Sequence, residues 1–201
     1  MLKLFCAILV TMLLTCCSCS RSTDFRDQVV SLFDAINRRD VAAEMSYFAD
    51  DVTYIISGDP PYIGKAAVRP LLEWDSVLMT TVDIGGLSVS GDTVTVDSWV
   101  ENSEWFRLIG VPGTRSLPGS RFVFEKGLIK TVELSGQVSE DAKALAVHFR
   151  AFMIWFVNTH RDRVNEVRDK TFFRFSAQRA ADWMQLAGEW REWKTSRGML
   201  N

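Results

Sequence analysis

The chain has 201 residues, 47% hydrophobic and 24% charged, enough apolar content for a folded domain and too much for a disordered one. Its formal charge of −2 carries no basic excess that would point to nucleic acid. Every cysteine lies in the first 19 residues and the only histidines are His148 and His160. The remainder therefore has no disulfide framework, no thiol nucleophile and no histidine-built metal site.

In chain order, the first element is a leader. Lys3 is a positive start, and Leu4 to Leu14 form an apolar run too short to span a bilayer, which takes about 20 residues. Leu14-Thr15-Cys16-Cys17-Ser18-Cys19 follows. This run resembles the lipobox of bacterial lipoproteins, in which an aliphatic residue and two small ones precede the cysteine that is acylated. Cys17 fits first, with Leu14 three places before it, and Cys16 second. The resemblance implies an exported protein of the cell envelope, with residues 1–16 a signal peptide, residues 17–24 a lipidated tether, and a membrane held through acyl chains.

Beyond the leader, Phe25, Val29, Leu32, Phe33 and Ile36 fall at helical spacing, and Asp40 can cap a short second helix from Val41 to Phe48. Asp50-Asp51 should break it, and Val52 to Ile56 reads as a strand. Gly64-Lys65 leads into a third helix to about Met79, interrupted near Pro70. Thr80–Ser88 and Thr93–Phe106 should form a hairpin of long strands about Ser90-Gly91-Asp92. Unbroken alternation puts Val94, Val96, Ser98, Val100, Asn102 and Glu104 on one face, expected to be the core side. Thr95, Asp97, Trp99, Glu101, Ser103 and Trp105 then face away. Ser120–Glu125 and Leu128–Leu134 are two more strands, with Phe122 and Phe124 on one face. From Ser139 the period becomes helical, first through Leu145, Phe149 and Phe156, then through Trp183, Leu186, Trp190 and Trp193. The order of elements defines an α+β protein with an antiparallel sheet, one face of it covered by helices, and a C-terminal helical pair over residues 139–201.

Several of these runs carry a further likeness. They are Leu32-Phe33-Asp34-Ala35-Ile36-Asn37-Arg38-Arg39-Asp40, Phe48-Ala49-Asp50-Asp51-Val52-Thr53-Tyr54 and Gly64-Lys65-Ala66-Ala67-Val68. To them add Ser90-Gly91-Asp92-Thr93-Val94 and Phe124-Glu125-Lys126-Gly127-Leu128-Ile129-Lys130. Together they resemble the nuclear transport factor two-like superfamily, and within it the SnoaL-like proteins. The resemblance implies a cone over residues 25–138, a curved antiparallel sheet wrapped on helices, with a pocket inside. Its members include isomerases, cyclases, dehydratases, epoxide hydrolases and domains that only bind.

Candidate site residues follow from the expected faces. Asn102 and Glu104, spaced i and i+2 on a mostly apolar face, would point into the cone, where a buried carboxylate can act as a general acid or base. The run Glu101-Asn102-Ser103-Glu104 is locally similar to limonene epoxide hydrolase, with Asn102 at that family's arginine position and Glu104 at its aspartate position. Tyr54, sharing its face with Val52 and Ile56, could offer a hydroxyl to a ligand oxygen. Trp74, Val100 and Phe122 are the expected apolar ligand contacts. The residues call for no cofactor and no metal. Three readings follow. The first is an envelope protein binding a small apolar or amphipathic ligand. The second is an isomerase or hydrolase using a pocket carboxylate. The third is an assembly protein using the Trp-rich C-terminal helices. A homodimer stays open.

Overall fold

The computed structural model describes residues 24–111, 115–135, 140–168 and 170–199. The leader with Cys17 and the expected helix start at Ser139 lie outside them. The first helix, α1 (residues 24–38), buries the apolar stripe of Phe25, Val29, Leu32 and Phe33. It stops where Arg39 takes a left-handed φ of 60°. Asp40 then caps α2 (Val41–Ser46), its Oδ1 accepting from the Ala43 N–H at 3.0 Å.

Strand β1 (Phe48–Ile55) begins four residues earlier than Asp50-Asp51 suggested. Both aspartates point to solvent, where Lys65 meets Asp50 at 3.0 Å and Lys130 pairs with Asp51. Charge on the open side therefore does not break a strand whose other side buries Phe48 and Val52. After the two-residue β2 (Tyr62–Ile63), α3 (Lys65–Val77) runs straight through Pro70. Burial of Val68, Leu71, Leu72 and Trp74 on one face offsets the hydrogen bond that Pro70 cannot make.

Strands β3 (Thr81–Ser90) and β4 (Thr93–Asn102) form the long hairpin. Directly paired residues of an antiparallel ladder share a face. Near the turn, Leu87 with Val96 and Val89 with Val94 face the core. Farther along, Ile84 with Trp99 and Val82 with Glu101 face it instead. The inward phase therefore reverses at Gly85-Gly86, opposite Asp97-Ser98. Gly86 has φ +64°, and a Cβ built there would stand 2.6 Å from Asp97 Oδ2 and 3.0 Å from its Cβ. Only glycine fits the kink. Gly86→Ala should cost about 1–3 kcal/mol, read as a lowered urea midpoint. An unchanged midpoint would mean that the kink is not imposed by this residue.

The expected strand from Thr93 to Phe106 is shorter than predicted. Ser103 takes the Phe106 N–H on its Oγ at 3.1 Å and starts α4 (Glu104–Ile109), which Gly110 closes at φ 88°. Strands β5 (Arg115–Ser116), β6 (Ser120–Glu125) and β7 (Leu128–Glu133) complete the sheet in the order β2-β1-β7-β6-β4-β3, with β5 against β4. Pairing is antiparallel except between β1 and β7, which run parallel. The curved sheet wraps α1, whose Phe25 stacks on Phe124 at 4.3 Å and whose Phe33 meets Trp99 edge-on at 4.9 Å.

The C-terminal helices are α5 (Glu140–Thr159), α6 (Val164–Arg168) and α7 (Ala177–Ser196). They build a second core with α3 and α4, in which Phe152, Phe156, Trp183, Leu186 and Trp190 pack with Trp74, Leu78, Trp105 and Ile109. Trp190 Nε1 donates to the Ile109 carbonyl at 3.4 Å. Between α5 and α7, Arg163 bonds both Glu166 and Asp182, and Arg179 bonds the same two carboxylates. The charged stretch that carries no clear period in sequence is thus tied to α7 by its charges.

Candidate ligand pocket

A cavity of about 320 Å³ opens where the two cores meet. Helix α3 lines it with Leu71, Trp74, Asp75 and Leu78, the i, i+3, i+4, i+7 face of one helix. Strand β1 and its continuation supply Tyr54 and Ile56, and Thr80 stands just before β3. The reversed phase of β4 presents Trp99, Glu101 and Ser103, and α4 adds Trp105 and Phe106. Leu134 follows β7, and Phe175, just before α7, and Trp183 on α7 complete the wall. Trp74 sits between the last two, its ring 5.3 Å from Phe175 and 5.0 Å from Trp183. The space is at the lower end of the range for small-molecule sites, about 300–1,000 Å³. Its lining is largely apolar, with seven aromatic side chains among fifteen residues and two carboxylates, Asp75 and Glu101.

The expected site residues divide among four places. Tyr54 and Trp74 line the cavity. Phe122 is buried in the cone core behind Trp99, stacked at 6.1 Å, and does not line it. Val100 stands on the other face of β4, because the phase reverses before it is reached. Asn102 and Glu104 line a separate, open depression with Arg39, Met79, Thr81 and Arg107. There the Arg107 guanidinium forks onto Glu104, with Nε 2.6 Å from Oε2, and this hydrogen bond holds the carboxyl below its ordinary value. Asp59 accepts from the Tyr62 hydroxyl at 3.3 Å, and Glu133 pairs with Arg121 across β6 and β7.

Alternation from Val94 could not find Glu101 and Asp75. The one sequence signal for Glu101 was Gly85-Gly86 inside a strand pattern, which marks a bulge or kink. For α4 the signal was Ser103 and Gly110 bracketing Trp105, Phe106 and Ile109. Glu44, on α2, was also missed. It is 3% exposed. Burial, and after it the charge of Asp40, pushes its carboxyl up to about 7.

The chain is thus a helix-filled cone with a largely apolar cavity and two carboxylates in its wall. Residues 29–132 match the SnoaL-like domain, and the chain belongs to that family. No curated protein matches the chain in sequence. Among solved structures it is similar to SalBIII, described as an epoxide hydrolase/cyclase-like enzyme in pyran ring formation in the polyether salinomycin. That likeness has 20% identity and a TM-score of 0.50, covering 56% of this chain and 90% of that one. An LEH-like epoxide hydrolase of M. tuberculosis has 16% identity and a TM-score of 0.50, over 67% of this chain and 98% of that one. At these identities the likeness is one of fold. The family match ends before α5, so Phe175 and Trp183 bring to the pocket residues from outside the matched segment.

Proposed function

We propose that this is an exported lipoprotein, acylated at Cys17, whose cone pocket binds a small, largely apolar molecule bearing at least one polar group. The observation that carries the pocket reading is the cavity of about 320 Å³ lined by Trp74, Trp99, Trp105 and Trp183 with Asp75 and Glu101 beside them. Flat aromatic walls take up apolar area, and the polar groups fix orientation. Native mass spectrometry of the mature chain purified gently from its host should show a bound small molecule. A bare chain that also fails to bind the neutral dye N-phenyl-1-naphthylamine would overturn this reading. For the anchor, the support is Leu14-Thr15-Cys16-Cys17 after an apolar run. Cys17→Ser should abolish incorporation of labelled fatty acid and release the protein from membranes, while Cys16→Ser should leave both intact. Retained labelling in Cys17→Ser would move the anchor to another cysteine.

A second reading is favoured by the two carboxylates, Asp75 and Glu101, that line the same cavity. In an isomerase or hydrolase, Glu101 would take a proton from carbon or from an attacking water, and Asp75 would return one to the oxygen of the substrate. The two similar structures are described as epoxide-hydrolase-like, and an epoxide or carbonyl compound is the first substrate class to screen. Given turnover, Glu101→Gln should lower kcat by about 100-fold or more. Loss with Glu104→Gln alone would move the base to the depression beside Arg107.

A further inference from the structure

Behind the large cavity lies a void of about 30 Å³ that shares Tyr54, Asp75, Thr80, Trp99 and Glu101 with it and adds Glu44 from α2. A void of this size holds one water where two to four polar groups can bond it, and here Glu44, Tyr54, Asp75, Thr80 and Glu101 stand in its lining among Ile36, Leu72 and Val82. The titratable groups that face it are Glu44 on α2, Tyr54 on β1, Asp75 on α3 and Glu101 on β4. Asp40, the cap of α2, is the further charge acting on Glu44. Among the described residues no lysine, arginine or histidine lines the void. Thr80 is 4% exposed, and its Oγ1 has no hydrogen-bond partner among the described residues. A buried hydroxyl in that condition costs about 1–3 kcal/mol unless something bonds it.

We propose that this void is a proton-holding subsite of the pocket, in which one water seated on Thr80 connects Glu44 to Glu101 and Asp75. The subsite rests on the reading that the large cavity is the working pocket. The Glu44 carboxyl gives its proton to the water as the water gives one of its own to a pocket carboxylate, and the reverse step restores both. Charge and atoms balance with no other reactant. Glu44 is suited to the part because burial holds its proton up to about pH 7, where an ordinary carboxyl has already lost it. It is a positioning residue, acting on the ligand only through Glu101 and Asp75.

The test is a carboxyl ¹³C NMR titration of the full chain in detergent, with the Glu44 signal assigned by its loss in Glu44→Gln. Coupled carboxyls titrate as a set, so Glu101→Gln should lower the Glu44 midpoint by roughly half a pH unit or more. Thr80→Val, which removes the seat of the water and keeps the shape, should raise it by roughly the same amount. A Glu44 carboxyl that is merely buried would move in neither variant, and that result overturns the proposal. Should Glu101→Gln fail to fold, Asp75→Asn applies the same test from α3. Adding N-phenyl-1-naphthylamine separates the two readings. A coupled titration with no dye binding would detach the subsite from any ligand pocket, while dye binding that shifts the Glu44 midpoint supports both.

Discussion

Trp183→Ala should destabilise the protein by about 3–5 kcal/mol, as buried Trp-to-Ala exchanges do. Trp183 is buried at the centre of the second core, its ring 5.0 Å from Trp74, 4.9 Å from Trp105 and 5.1 Å from Phe172. Its Nε1 also donates to the Phe172 carbonyl at 3.1 Å, so truncation removes that hydrogen bond as well as leaving a void. For a chain of this size the loss corresponds to a fall in Tm of roughly 10 °C. Trp183→Phe keeps most of the ring and should lose less than half as much. The measurement decides what the C-terminal helices are. If α5 to α7 were an appendage, the cone would unfold at its usual temperature in Trp183→Ala and only the helical signal would melt early. The packing predicts one shared transition. Trp74 on α3 and Trp105 on α4 bury their rings against α7, so the second core takes part of its wall from the cone's own helices. The same exchange should weaken dye binding, because Trp183 lines the cavity.

What could be read from sequence depended on whether local pattern and tertiary contact agreed. For α1, α7 and β6 they agree. Each carries its apolar residues at one period, and its caps and turns sit at the ends of that period. The hairpin was legible as a hairpin, yet its faces were not, because counting by twos from Val94 assumes a regular pleat. The break at Gly86 comes from a left-handed backbone that alternation does not encode. One broken step put Val100 where Trp99 was needed and hid Glu101. The α4 turn was hidden for a related reason. Ser103 to Phe106 continues the strand pattern in residue type, and only the Ser103 cap and the packing of Trp105 and Phe106 select the helix. Asp75 and Glu44 sit on short amphipathic helices, where an acid is ordinarily a solvent-facing residue. Nothing local says that these two face inward. That depends on how closely α2 and α3 approach the curved sheet, which is a property of the whole fold.

Glu44→Gln is expected to stabilise the protein at pH 8 and to change little near pH 4. In the unfolded chain the carboxyl titrates at its ordinary value of 4.5, while in the folded protein burial and then Asp40 raise it to about 7. The folded state therefore holds this proton more tightly than the unfolded state. The stability that the protonated form contributes is fully present below about pH 4.5 and is lost as the pH rises through 7. A gap of about 2.5 pH units corresponds to a loss on the order of 3 kcal/mol, comparable to removing a core side chain. Glutamine keeps the shape and the hydrogen-bonding capacity and carries no charge, so the variant should not undergo this loss. Urea midpoints for both proteins at pH 4.5 and pH 8 measure it directly. Equal changes in the two proteins would mean that Glu44 is not the group carrying the charge. A strong difference has a consequence for the pocket. An acid kept at such a cost to stability above pH 7 gains nothing from packing, since Gln would fill the same space. The position of Glu44 beside the void that borders Glu101 and Asp75 is then accounted for by the proton it holds there.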